Sequence, residues 1–210
     1  LSAYYSSPFS KIRPILSFSL DAMGDGLCAT VSIIKNDEIK RLAVTPFGSS
    51  IGDLYAQTTA YLGMTMGEHE YKVMGLAPYS HQRYFEPLLK RLRELIWVKS
   101  NLTFGTKYHS HYFYKVLPQL YSYYRFDVIS GALQALTEEV VSEWIKLAIK
   151  KTGVSDIVCA GGVFMNVKMN QKIMELDEVK NIFIIPSSGD ESAAMGAAYF
   201  VYANQFSKQK

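Results

Sequence analysis

Apolar and polar residues alternate in three short segments near the start of the chain, which predicts a meander of β-strands. The segments are 14–21, 27–34 and 38–44. Turn-forming residues separate them, including Asn36 and Asp37, and such residues are typical of tight turns between antiparallel strands. The first turn is acidic and glycine-rich, with Asp21, Gly24, Asp25 and Gly26. Its backbone could therefore approach a phosphate or a bound cation, although an ordinary hairpin turn is the alternative.

Helical periodicity follows the meander. Residues 53–62 are predicted to be helical, and residues 82–96 form an amphipathic pattern with apolar residues three and four positions apart. A longer helix is predicted from Asp127, as its N-cap, to Gly153, which stops it. These segments surround a charged, glycine-containing block.

The last third of the chain alternates helices with strands. A strand at 156–160 leads through Gly161 and Gly162 into a helix at 163–176, followed by a strand at 182–186 and a helix at 191–206. This order predicts an α/β fold with ligands at the carboxyl ends of the two strands. Backbone N–H groups at the helix starts suit an anion there, although tight packing would also explain the two glycines.

Residues 67–79, with the sequence GEHEYKVMGLAPY, concentrate charged groups within thirteen residues. The candidates for chemistry are Glu68, His69, Glu70 and Lys72. Either an extended segment or a short helix that Gly75 and Pro78 end would place several of them together, as a phosphate or metal site requires. The alternative is a solvated helix start.

Residues 108–126 are rich in tyrosine and phenylalanine. They could stack on bases or on a sugar, or form a partly buried surface that packs against other parts of a longer protein. His109 and His111 lie in this segment, and two histidines alone do not define a metal site. We expect them in a solvated loop.

Composition narrows the function classes. The chain has 210 residues, 49% hydrophobic and 20% charged, which is enough for a folded core. A net charge of +3 without a clustered patch does not predict nucleic-acid binding. Apolar runs are shorter than a bilayer requires, and no leader is visible, so we expect a cytoplasmic protein. Cys28 and Cys159 lie in apolar runs, which predicts buried thiols rather than a disulfide or zinc site.

Four blocks together resemble the O-carbamoyltransferases of the nodulation and antibiotic-tailoring type. Residues 67–79 resemble the signature of that family, and residues 21–26 resemble its phosphate loop. Residues 160–166, AGGVFMN, resemble its nucleotide loop, and residues 189–198 resemble its closing block. The resemblance spans nearly the whole chain.

The resemblance implies an actin-like and heat-shock-chaperone-like ATPase architecture, related to ribonuclease H, in which two lobes enclose ATP. Residues 1–13 would be a truncated remnant of the first lobe, and residues 14–210 a partial actin-like domain that is mostly the second lobe. A YrdC-like domain would be absent from this chain. We therefore expect a fragment that is inactive by itself.

The activity implied is transfer of a carbamoyl group from carbamoyl phosphate, through an ATP-derived carbamoyl-adenylate, to a hydroxyl of a sugar or natural product. By the same resemblance, Glu68, His69, Glu70 and Lys72 would be catalytic, with Lys72 on the phosphate or carbamoyl oxygen. Asp190 would bind a divalent metal, iron or similar, with histidines outside the chain. The residues expected to bind nucleotide or phosphate are Asp21, Gly24, Asp25, Gly26, Gly161, Gly162, Asn166 and Gly189.

Three departures from the family pattern stand at Ala22, Ser80 and residues 191–193. Two other functions stay open: a threonylcarbamoyl-transferase-like tRNA-modifying enzyme and a non-catalytic nucleotide-binding module. The expected partners are carbamoyl phosphate, a hydroxyl-bearing small molecule and the rest of a longer chain. A homodimer is compatible with the sequence, and neither a membrane nor a nucleic acid is expected as a partner.

Overall fold

The computed structural model describes residues 1–10 and 12–206, and the elements below are those of this part of the chain. The strands are β1 (Ile15–Gly24), β2 (Leu27–Lys35), β3 (Glu38–Pro46), β4 (Ile96–Val98), β5 (Phe104–Thr106), β6 (Asp156–Ala160) and β7 (Asn181–Ile184). The α-helices are α1 (Ser2–Ser6), α2 (Ile51–Tyr61), α3 (Glu70–Leu76), α4 (Gln82–Arg93), α5 (Phe113–Tyr121), α6 (Phe126–Thr152), α7 (Val167–Met174) and α8 (Glu191–Phe206).

Five strands form the main sheet in the order β3-β2-β1-β6-β7. The first three are an antiparallel meander, as predicted, and β6 and β7 run parallel to β1. Positive φ angles at Asp25 and Gly26, and at Asn36 and Asp37, close the two turns of the meander. Such turns match the right-handed twist of the strands they join. The α/β prediction is confirmed, and the carboxyl ends of β1 and β6 meet at one edge.

The core lies mainly between the sheet and α6, because alternate residues of β1 point to opposite faces. Leu16, Phe18 and Leu20 belong to the larger cluster with fully buried Trp144 of α6. The Trp144 and Phe18 rings meet edge to face at 5.0 Å, and the indole N–H donates to the carbonyl of Leu102 at 2.8 Å. This bond satisfies the polar atom of a buried Trp.

The other face of the sheet carries a smaller cluster that includes residues of the first thirteen. Tyr4 and Phe9 pack there with Ile15 and Val158. Helix α1 also contacts α8. Residues 1–10 are thus packed on the same sheet as the rest of the chain.

Several predicted boundaries were wrong. The helix predicted at 82–96 ends at Arg93, and Ile96 begins the β4–β5 hairpin, which the sequence analysis missed. Arg125, not Asp127, is the N-cap of α6, and Asp127 lies in its first turn beside Arg125. The helix predicted from 163 starts as a 3-10 turn, Gly162–Met165.

Both cysteines are buried and free, as predicted. Burial raises the pKa of the Cys28 thiol to about 12 and that of Cys159 well above its ordinary range. These thiols therefore behave as small apolar side chains rather than nucleophiles. Among the described residues, none of the helices is long and apolar enough to cross a membrane.

Helix α2 packs on β1 through a glycine. A Cβ added at Gly52 would lie 2.7 Å from both the Ala22 nitrogen and the Asp21 carbonyl oxygen, which are backbone atoms that cannot rotate away. We expect Gly52→Ala to lower the free energy of unfolding by about 1–3 kcal/mol, measured by urea denaturation. The matched control is Gly75→Ala, where the new Cβ would meet nothing within 4 Å among the described residues. Equal stability of the two variants would contradict this packing.

Candidate functional site

The carboxylate of Asp21 connects two of the predicted loops. It lies where the pairing of β1 with β2 shifts register, between Leu20 and Gly24. One carboxylate oxygen accepts the N–H of Ala22 at 2.7 Å, and the other accepts the N–H of Gly162 at 3.1 Å. The acidic turn and the Gly-Gly loop, which are about 140 residues apart in the chain, are therefore in contact.

Gly161 lets the backbones of β1 and β6 approach closely. Its φ is 108°, and an added Cβ would lie 2.3 Å from the carbonyl oxygen of Leu20. Its N–H donates to the carbonyl of Ser188 at 2.8 Å. Tight packing thus explains Gly161 and also connects this loop with the segment that carries Gly189 and Asp190.

The hairpin tip at Gly24, Asp25 and Gly26 is exposed. A Cβ at Gly24 would meet nothing within 4 Å among the described residues, and Gly24 does not have a positive φ. Neither packing nor backbone conformation therefore requires glycine at position 24. An accessible glycine backbone leaves room for a ligand to come close.

Asp190 is exposed beside the start of α8, where its carbonyl accepts the N–H of Ala193 at 3.0 Å. The next residue, Glu191, accepts the hydroxyl of Ser187, and this bond lowers the pKa of the Glu191 carboxyl. Within residues 1–10 and 12–206, no group of three or more His, Cys, Asp or Glu side chains is arranged for a metal ion.

The charged block forms the start of α3. The carboxylate of Glu70 accepts the N–H of Gly67 at 2.7 Å, and Nδ1 of His69 accepts the N–H of Thr65 at 3.0 Å. These bonds satisfy backbone groups ahead of the helix, as the helix-start interpretation implies. Glu68 and Lys72 are exposed. The block therefore leaves two charged side chains on the surface.

Gly75, near the end of α3, has no packing partner for an added Cβ among the described residues. Glycine weakens a helix by about 0.5–1 kcal/mol relative to alanine. Its presence in an open part of a short helix is not explained by the fold. A ligand or another part of the protein that packs closely against the helix backbone would explain the glycine at this position.

Asn166 is the N-cap of α7, and its side-chain oxygen accepts the N–H of Met169 at 3.0 Å. The same amide pairs with Gln134 of α6 through two bonds, of 3.0 and 2.8 Å. The hydroxyl of Tyr55 donates to the oxygen of Gln134 at 3.1 Å. We call Tyr55, Gln134, Glu138 and Asn166 the amide network; sequence reasoning missed all but Asn166.

The amide network joins α2, α6 and the start of α7. Gln134 donates to Glu138 at 2.8 Å. Burial raises the pKa of the Tyr55 hydroxyl, and the charges of Glu138 and Glu70 raise it further. Burial also raises the pKa of the Glu138 carboxyl, against the bond from Gln134 and the charges of Lys172 and Lys168. Glu70 of the signature therefore acts electrostatically on this network.

The site residues thus divide into groups. Asp21, Gly161 and Gly162 touch, and Gly189 and Asp190 lie beside them through Ser188. The signature residues lie at and just before the start of another element, α3, which packs on α2 and α6. His109 and His111 are exposed, as expected for a solvated loop. They lie near Asp53 of α2, where burial raises the pKa of the carboxyl and the charges of the two histidines lower it.

Comparison with protein families gives a match over residues 1–199 to the family described as Carbamoyltransferase N-terminus. The nodulation protein NolO of Bradyrhizobium diazoefficiens is 30% identical over 209 residues, covering 96% of this chain and 36% of that protein. The nodulation protein NolNO of Sinorhizobium fredii is 29% identical over 208 residues, covering 93% and 29%. This chain thus spans about a third of the length of these relatives.

Among solved structures, the chain resembles the activator of the 2-hydroxyisocaproyl-CoA dehydratase from Clostridium difficile with bound ADPNP. The TM-score is 0.51 at 14% identity, covering 93% of this chain and 62% of that one. The likeness shows the fold. Together with the strand order of the main sheet, it supports the actin-like fold that the family resemblance implied.

Removing the charge of Glu138 tests the amide network. Because the folded state holds this proton more tightly than the unfolded state, ionisation costs stability as the pH rises through the raised pKa. We expect Glu138→Gln, which keeps the acceptor for Gln134, to be more stable than the wild type at neutral pH. The gain should vanish below about pH 4, where both states are protonated.

The measurement is urea denaturation across this pH range. Glu143→Gln, on an exposed position of the same helix, is the control and should change stability little. A Glu138→Gln variant that is less stable at neutral pH would show that the carboxylate is favoured in the fold.

Proposed function

Since the chain belongs to the carbamoyltransferase N-terminus family, we propose that it is part of an O-carbamoyltransferase that uses ATP and carbamoyl phosphate. The carbamoyl group would pass through carbamoyl-adenylate to a hydroxyl of a sugar or natural product. The adenylation step belongs, by resemblance, to a domain outside residues 1–210. These residues alone are therefore expected not to complete the reaction.

The contact between Asp21 and Gly162 carries the proposal. It brings the acidic hairpin and the Gly-Gly loop to one edge of the sheet, and this edge is where ligands bind in α/β folds. The open backbone at Gly24 supports a phosphate approach from the hairpin. The relative in solved structures that shares the fold has ADPNP bound. We therefore assign ATP to this edge.

The residues named from the sequence receive distinct roles. Gly24, Asp25 and Gly26 would face the phosphates, and Gly161, Gly162 and Gly189 would shape the nucleotide loop. Asn166 would contribute its amide from the start of α7, although its oxygen already caps that helix. Lys72 would offset negative charge on the phosphate or carbamoyl oxygen, because a cation stabilises charge that develops there.

In the transfer step, the acceptor hydroxyl oxygen bonds to the carbamoyl carbon, and the bond from that carbon to the AMP oxygen breaks. AMP leaves with the electron pair, and the hydroxyl proton passes to a base. Glu68 is the proposed base because its carboxylate is exposed, whereas His69 and Glu70 each accept a backbone N–H. Those two would position the block.

The proposed metal cofactor is a divalent cation, iron or similar. Asp190 would be one oxygen ligand, and the described residues supply no cluster around it. A bound metal would polarise the carbamoyl carbonyl as a Lewis acid.

A non-catalytic nucleotide-binding module is the second candidate. The observation that favours it is that two of the four proposed catalytic side chains, His69 and Glu70, already bond to backbone N–H groups ahead of α3. Such a module would bind ATP at the same edge and would not consume carbamoyl phosphate.

We expect Asp190→Ala in the complete gene product to block carbamoylation of an added alcohol while ATP and carbamoyl phosphate are still consumed. The reason is that Asp190 is assigned to transfer and not to adenylation. The measurements are release of AMP and pyrophosphate and mass-spectrometric detection of the carbamate ester. Asp177→Ala, another exposed aspartate, should leave both unchanged.

Failure of the folded wild-type gene product to consume carbamoyl phosphate would overturn the transferase proposal in favour of the nucleotide-binding module. Full carbamoyl transfer by the Asp190→Ala variant would show that the assignment of Asp190 to the transfer site is wrong.

Gly75 gives a separate test of the role of helix α3. We expect Gly75→Ala to raise the free energy of unfolding by about 0.5–1 kcal/mol, because alanine favours the helix. We expect it at the same time to lower carbamoyl transfer, since the added methyl would stand where a ligand or another part of the protein approaches. Urea denaturation and the transfer assay are run side by side. A more stable variant with full activity would leave Gly75 without a functional role.

A further inference from the structure

Tyrosine, histidine and lysine side chains form one exposed cluster at the start of α5. Tyr112 and Tyr114 are 51% and 54% exposed. The ring centroid of His111 lies 5.6 Å from that of Tyr112 and 6.0 Å from that of Tyr114, and the ring centroid of His109 lies 6.3 Å from that of Tyr112. Nζ of Lys115 lies 5.9 Å from the ring centroid of Tyr112 and 5.4 Å from that of Tyr114. We call these five residues the aromatic-basic patch.

The helix keeps the patch on the surface. Phe113 and Leu117 are one helical turn apart and are buried in the core, so the residues between them on the other side of α5 face solvent. Nδ1 of His109 accepts the N–H of His111 at 3.2 Å and caps the short 3-10 turn that precedes α5. Packing and capping therefore hold the exposed rings in place before any ligand arrives.

Positive charge is concentrated around the patch. Residues 95–126 contain no Asp or Glu, and their basic residues are Lys99, Lys107, Lys115 and Arg125. This segment has a net charge of +4, whereas the whole chain has only +3. The small net charge of the whole chain thus hides a local excess of positive charge.

Two carboxylates approach this segment from other elements, and neither pairs with Lys115. Glu94 pairs with Lys107 at 3.9 Å. Asp53 of α2 accepts the amide of Gln57 at 2.8 Å and lies near the two histidines of the patch. Within residues 1–10 and 12–206, Lys115 forms no ion pair with a carboxylate. Its ammonium group is therefore available to an anion from solvent.

A cation between two exposed rings fits a ligand that carries both phosphates and flat rings. Single-stranded nucleic acid has both, because its bases stack on aromatic side chains and its phosphates attract lysine. A duplex is a poorer fit, since its base faces are covered by neighbouring pairs. A membrane also fits less well, because none of the exposed residues between 107 and 115 is aliphatic and interfacial segments insert apolar side chains.

We propose that the aromatic-basic patch binds single-stranded nucleic acid, with bases stacked on Tyr112 and Tyr114 and a backbone phosphate at Lys115. This function goes beyond the transfer reaction and uses none of the residues assigned to ATP or to transfer. The patch adjoins the hairpin through Phe47, whose ring lies 5.8 Å from that of His109 and whose N–H donates to the carbonyl of Gly26 at 2.9 Å. A bound strand would lie beside that hairpin.

The test is the fluorescence anisotropy of a labelled oligothymidylate strand titrated with the complete gene product. We expect a Kd on the order of 10⁻⁵ M at about 0.1 M salt, and at least tenfold weaker binding of the matched duplex. Tyr112→Ala and Tyr114→Ala should each weaken binding about tenfold by removing a stacking surface. Lys115→Gln should weaken binding and lower the slope of log Kd against log salt concentration by about 0.7, whereas Lys115→Arg should keep both.

Tyr84→Ala and Lys150→Gln are the matched controls and should bind as the wild type does. Tyr84 is 53% exposed and has a cation beside it, Arg83, at 4.6 Å, but lies on α4, and Lys150 is exposed on α6. Circular dichroism checks that every variant is folded. The proposal would be overturned by no binding of the single strand, by equal binding of the duplex, or by binding that both tyrosine variants leave unchanged. Binding to phosphatidylserine vesicles in place of the strand, with loss in both tyrosine variants, would assign the patch to a membrane surface and would also overturn it.

Discussion

The close approach of two backbones at Gly161 is the constraint on which the candidate site depends. With an added Cβ only 2.3 Å from the Leu20 carbonyl, no other residue could occupy this position without moving β6 away from β1. At this separation the Asp21 carboxylate accepts the N–H of Gly162 at 3.1 Å. Gly52 is subject to the same constraint, because α2 packs directly against the backbone at Ala22. Gly161 and Gly52 thus allow β1, β6 and α2 to pack closely around the Asp21 carboxylate.

Much of this fold could be predicted because its signals are local. The meander follows from alternation and from turn residues, and α6 from its apolar spacing and Gly153, whose φ of 70° ends the helix. The β4–β5 hairpin was missed because its strands have three residues each and pair only with one another, which is too short for a periodicity to show. Asp127 was misassigned because Asp is favoured both as an N-cap and in the first helical turn.

The site was harder to predict than the fold because its contacts are distant in sequence. The glycine loops could be named from their residues, but nothing in the chain indicated that Gln134 pairs with Asn166. Gln134 lies within a helix, where glutamine is commonly a solvated residue. His109 and His111 looked isolated because their acidic neighbour, Asp53, is more than fifty positions earlier. Tertiary packing alone creates these juxtapositions.

The amide network also has a mechanical consequence. Gln134 uses both ends of its amide, and Asn166 uses its oxygen both for Gln134 and for the start of α7. A small sliding of α7 against α6 would break two of these bonds together, and a sliding of α2 would break the bond from Tyr55. The three helices therefore resist shear and should rotate as one rigid body in any hinge motion around a bound ligand. Movement of α3 relative to this rigid body would then require a hinge outside α2, α6 and α7.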